Sequence, residues 1–203
     1  MPGADRKARA WRPRNRESGV AAIEVALLAG VFLLFVFGVI EIARMMYIVN
    51  TLQESTRRAA AAASLVSHRD TGALDRIRQQ AVFRDSPGNL IFGAPVTDRN
   101  IRIDYLALAS RGGSAPVLSP IPTASLPTCP RENRRICLLN PHAANCIRFV
   151  RVRVCENNEE DACHPVEYLS MMPFLALPVG LPRATTITMV ESLGSQPEGT
   201  PCL

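Results

Sequence analysis

Between Gly19 and Ile40 the chain carries one charged residue, Glu24, and residues 25–40 carry none. A stretch this long that is apolar on every side does not suit a surface helix, which keeps a polar face. About 20 apolar residues in a helix are enough to cross the hydrocarbon of a bilayer. Residues 20–43 therefore predict a membrane-crossing helix, and the rest of the fold has to be built around it. A carboxylate inside such a helix is costly, so Glu24, five residues after Gly19, marks a functional position.

The charge distribution sets the expected topology. Arg6, Lys7, Arg9, Arg12, Arg14 and Arg16, against Asp5 and Glu17, give the first 18 residues a charge of +4. The remaining 185 residues hold 17 basic and 16 acidic groups. The basic pI of about 9.1 thus describes a tail, not a nucleic-acid-binding surface, and no nucleic-acid partner is expected. Basic residues favour the cytoplasmic side, which puts the N-terminus inside and everything after Arg44 outside. An ordinary secretory signal has an apolar core of roughly 7–15 residues and a nearby small-residue cleavage site. Here the apolar core is longer, and the alanine run 59–63 lies well downstream, behind Arg57 and Arg58.

All six cysteines, Cys129, Cys137, Cys146, Cys155, Cys163 and Cys202, fall on the predicted outer side. An even number in an oxidising compartment predicts up to three disulfides, with the connectivity open. No C-x-x-C pair is present, which argues against zinc.

Along the chain, residues 1–18 read as a basic cytoplasmic leader. One helix is expected from Gly19 to Leu65, about 70 Å long at about 1.5 Å per residue. Its outer half is amphipathic, with Ile42, Met45, Met46, Ile48, Val49 and Leu52 at helical spacing, and the alanine run has the best helix-forming composition in the chain. Met45, Met46 and Tyr47 read as interface and core packing. Asp70, Thr71 and Gly72 interrupt the pattern, and Leu74, Ile77 and Ala81 predict a short second helix.

From residue 101 the period becomes two. Ile101, Ile103 and Tyr105 predict one strand and Val150, Val152 and Val154 another, with weaker candidates at 166–172 and 184–191. Residues 116–130 read as a long surface loop and 129–163 as a cysteine-rich insert. The expected fold class is α+β, with a transmembrane helix extending into a small antiparallel sheet domain over residues 66–203 that is stapled by disulfides.

The chemistry legible in the residues is sparse. Glu41 and Arg44, one turn apart, are expected to pair at the outer membrane interface. His68, His142 and His164 are scattered, and no Ser/His/Asp order, H-E-x-x-H helix or glycine-rich phosphate loop occurs. The acidic stretch 156–161 lacks the alternating ligands and central glycine of a calcium loop and reads as a solvated turn. Arg148, Arg151 and Arg153 read as a basic strand face. No enzyme activity, catalytic residue, cofactor or metal is expected.

Residues 17–65 resemble the TadE-like pseudopilins of the tight-adherence, or Flp pilus, system. The match runs through Gly19-Val-Ala-Ala-Ile-Glu24-Val-Ala-Leu27, Gly38-Val-Ile-Glu41-Ile-Ala-Arg44, Asn50, Leu52, Gln53 and the alanines 59–63. A proline-spaced segment, residues 172–178, followed by an Ala/Thr-rich strand ending at Glu191, is similar too. Val25, Gly30 and Ala43 stand where the family commonly has Phe, Pro and Gly.

The resemblance implies a minor pseudopilin of the bacterial inner membrane that supports pilus assembly, adhesion and biofilm formation. It implies cleavage between Gly19 and Val20 by a prepilin peptidase, and partnership with other pilins and the Tad secretion machinery. Glu24 would then meet the new amine at Val20 of a neighbouring subunit. The competing expectation is a membrane-anchored periplasmic binding protein, with the helix as a mere anchor.

Overall fold

The computed structural model of the chain describes residues 18–110, 115–156, 162–172 and 179–194. The basic leader, most of the acidic stretch, the proline-spaced residues 173–178 and Cys202 lie outside the described residues. Two compact units are present, the first running to Ile42 and the second starting at Ala43.

Helix α1 is continuous from Ser18 to Leu65, 48 residues, in agreement with the expected span. No proline interrupts it, and residues 59–63 supply five alanines where its last turns need strong helix formers. Its segment up to Ile42 forms the first unit. The residues from Ala43 onward belong to the second unit and supply part of its core.

In the second unit, Ile48, Leu52, Ala59, Ala60 and Ala63 of α1 are all buried in one apolar cluster. The alanines lie at i, i+1 and i+4, which places small side chains on one buried face of the helix. Helix α2, Thr71–Ala81, adds Leu74, Ile77 and Ala81. Asp70, expected to break α1, lies beyond its end at Leu65 and serves α2 instead. Its side chain accepts from the Ala73 N–H at 2.9 Å and so caps the start of α2.

Four strands form the antiparallel sheet: β1 Ile101–Ala109, β2 Val117–Pro120, β3 Phe149–Val154 and β4 Thr185–Met189, in the order β2-β1-β3-β4. Val150, Val152 and Val154 are buried toward the main core. Thr186 faces the same way and bonds the Thr56 hydroxyl of α1 at 3.0 Å. The opposite face divides in two. Pro120, Leu106, Phe149 and Met189 form an apolar row across all four strands. The next rows along are charged, and there Asp104 accepts from Arg102, Arg151 and Arg153.

Two expectations need correction. Residues 116–130 are not simply a loop, because β2 lies within them. Val117, Leu118 and Pro120 of that edge strand are exposed, so no buried/exposed alternation marks it. Residues 166–172 form no strand, only an isolated bridge from Glu167 to Gly180. The cysteine-rich insert also contains an unforeseen helix, α3, Pro130–Leu139. Proline at its first position was the available signal. Asn133 ties α3 to the segment leading into β3 by accepting from the Ile147 N–H at 2.8 Å and donating to its carbonyl at 3.2 Å.

Just past α1, His68 is buried with its ring edge-on to Tyr105, centroids 5.7 Å apart. Its Nε2 lies 2.7 Å from the Pro127 carbonyl, which only accepts, so the neutral ring carries its proton there. Among the described residues Nδ1 is buried without a partner. Burial pulls the imidazole below its ordinary pKa, the Pro127 hydrogen bond opposes this and the Arg69 charge adds to it. The unfolded chain therefore binds the proton more readily than the folded one. Stability should hold above the ordinary histidine value and fall as pH drops from about 6.5 toward the lowered folded value, by no more than about 1.4 kcal/mol per pH unit. Denaturant midpoints between pH 7 and 5 check this, and the decline should shrink in His68→Gln. An equal decline in that variant would assign it to other groups.

Candidate functional site

Gly19, Val20 and Glu24 all lie within α1 and are exposed. Val20 and Glu24 stand four residues apart and so share a helix face. The most apolar 18-residue window of the helix has a mean hydropathy of 2.7 and none of it is buried. Large side chains left open all round a helix call for lipid or other helices as their surroundings. The helix is long and apolar enough to cross a membrane once, with Glu24 the only charge from Gly19 to Ile40.

Within the second unit, Arg44 gathers two distant loops. Its Nε donates to the Phe92 carbonyl at 3.0 Å, and its Nη2 to the Ala94 carbonyl at 3.2 Å. Its Nη1 donates to the Leu169 carbonyl at 2.8 Å and to the Tyr168 hydroxyl at 3.3 Å. The guanidinium also lies 5.3 Å from the centroid of the Tyr168 ring, within cation–π range. Phe92 adopts φ of 55°, a backbone state uncommon for an aromatic residue, as it delivers its carbonyl. Tyr47, one turn on, reaches the Ile91 carbonyl at 3.5 Å. Arg44 was expected only as a partner for Glu41. Its role as a clamp on residues 90–94 and 168–169 has no sequence signature, because its acceptors are mainly backbone carbonyls. Glu41 lies three residues earlier on α1 and is buried.

Two of the expected disulfides lie among the described residues. Cys137 bridges to Cys146 and Cys155 to Cys163, and no described cysteine is a free thiol. Both bridges join near neighbours in sequence and brace the approach to β3 and its exit. Among the described residues no cluster of His, Cys, Asp and Glu is suited to a metal. His142 reaches the Leu108 carbonyl at 3.1 Å, far from His68 in sequence. Arg151 and Arg153 are turned onto Asp104, whereas Arg148 lines a groove of about 350 Å³ between α3 and the sheet. Arg134, Leu138, Phe149 and Met189 also line it.

No curated protein and no solved structure matches the chain. The family model of TadE-like proteins matches residues 19–61, which takes in Gly19, Val20, Glu24, Glu41, Arg44 and most of the alanine run. Over residues 19–61, the apolar helix and its continuation into the folded unit, the chain is similar to TadE-like proteins.

Proposed function

We propose that the chain is a minor pseudopilin-like subunit, structural and not enzymatic, that supports assembly of a Flp/Tad-type pilus and through it adhesion and biofilm formation. The observation that carries this is a coincidence: the TadE-like match, residues 19–61, takes in the whole apolar stretch of the helix with its single charge at Glu24. In this reading the helix sits in the bacterial inner membrane with its basic N-terminus in the cytoplasm. The disulfide-braced unit then stands on the periplasmic or extracellular side. Six basic residues before the helix and the disulfides after it both support that orientation. Its partners are other pilins or pseudopilins, the Tad secretion machinery and a prepilin peptidase acting after Gly19.

N-terminal sequencing of the mature protein tests the proposal. The chain should begin at Val20, and Gly19→Ile should leave the leader attached and reduce recovery of the protein with pilus components. A mature chain that keeps its leader while pilus assembly proceeds normally would refute the processing role.

The α3 groove favours one second reading, an anchored binding protein. That reading predicts normal piliation after deletion of the gene and loss of a bound small molecule after Phe149→Ala.

A further inference from the structure

The two loops clamped by Arg44 share an unusual composition. Residues 89–97 contain no charged side chain, and neither do residues 168–182. Where these loops gather around Arg44 and Tyr47 they expose large apolar groups: Phe92 at 76%, Met171 at 63%, Leu169 at 59% and Ile91 at 50%. Scattered exposed apolar residues need no explanation, but four on two loops joined to one arginine form a patch. Arg44 and Tyr47 follow directly in sequence on the apolar run that ends near Ile42. The loops bonded to them are therefore held within a few residues of the membrane-crossing stretch. Aromatic and apolar side chains with a nearby tyrosine hydroxyl and arginine match the chemistry of the headgroup–acyl boundary.

We propose that residues 90–94 and 168–171 form an apolar collar that inserts into the lipid interface where α1 leaves the bilayer. The inference rests on the reading of α1 as a membrane anchor. The occupant is the lipid surface, because the collar adjoins the apolar run in sequence. Arg44 is the positioning residue: its bonds to Phe92, Ala94 and Leu169 hold both loops at the same level of the helix.

The chain has one tryptophan, Trp11, so a Trp11→Phe background gives a silent protein for fluorescence. Phe92→Trp and Met171→Trp report on the collar, and Leu139→Trp, exposed at the end of α3 and outside the groove, serves as the control. The full chain is reconstituted in phosphatidylcholine–phosphatidylglycerol vesicles, with and without lipids brominated near the headgroup. Emission from the two collar positions should be blue-shifted and quenched at least about twofold by the brominated lipid, with the control unquenched. Adding Arg44→Gln should reduce quenching at both positions together.

Water-like, unquenched emission at both collar positions overturns the proposal. Blue-shifted but unquenched emission overturns it as well, by assigning the patch to a second protein. Alkaline carbonate extraction separates the two levels of the claim. A chain released by carbonate would refute the anchor itself, whereas a retained chain with unquenched tryptophans refutes only the collar.

Discussion

Glu24→Ala is expected to leave the chain in the membrane while abolishing its association with pilus subunits. The substitution removes the only charge between Gly19 and Ile40, so the helix becomes a better membrane span, and insertion and abundance should hold or rise. A carboxylate kept in such a helix against that gradient needs a partner. In the proposed reading the partner is the amine created at Val20 of an adjacent subunit, at the positive end of its helix. Removing one member leaves the other charge unpaired in a poorly solvating medium, which typically costs several kcal/mol. Co-purification with pilus components should therefore fall by more than about tenfold, since about 1.4 kcal/mol already corresponds to a factor of ten. Glu24→Gln keeps the size and polarity but not the charge, and should fail equally. Normal recovery of either variant with the pilus would show that Glu24 makes no such pair. Loss of the protein from the membrane would instead mean that the carboxylate serves insertion.

Legibility in the sequence followed the strength of the physical pattern. Helix α1 was readable because an apolar run of membrane length and an alanine run are both extreme compositions. Strands β1 and β3 were readable because Ile101, Ile103 and Tyr105 alternate with Arg102 and Asp104, and Val150, Val152 and Val154 with Arg151 and Arg153, one face apolar and one charged. Strand β2 was not, because an exposed edge strand has no inner face to pattern. Residues 166–172 misled for the opposite reason. Val166 and Tyr168 are buried in the core while Leu169 and Met171 are exposed, in a segment tied to Arg44 through the Leu169 carbonyl instead of being paired in a sheet, and apolar content alone does not separate those two uses. Gly19, Val20 and Glu24 were visible as a motif. The clamp made by Arg44 was not, because an arginine that bonds main-chain carbonyls of remote loops leaves no complementary residue to find.

The charged half of the sheet predicts the other large effect. Asp104 holds three arginines at once: Arg102 at 3.2 Å, Arg151 at 3.0 Å and Arg153 at 2.6 Å. Arg102 and Arg153 are direct partners across β1 and β3, an arrangement of like charges that is unfavourable without a shared anion. The Asp104 side chain is only 14% exposed, so water does not replace it well. Asp104→Ala should accordingly destabilise the folded unit by about 2–3 kcal/mol, less than for a fully buried pair because the arginines keep some solvent. For a chain of this size that is a fall in Tm of roughly 5–10 °C. Added salt should recover part of the loss by screening the three guanidinium groups, and Arg151→Ala in the same background should recover more. The exposed Arg78–Asp75 pair on α2 supplies the comparison, since Asp75→Ala should cost less than about 0.5 kcal/mol. Matching small losses for the two aspartates would show that the Asp104 cluster is surface decoration. A large loss at Asp104 that salt does not relieve would assign its role to packing and hydrogen bonds and not to the repulsion it prevents.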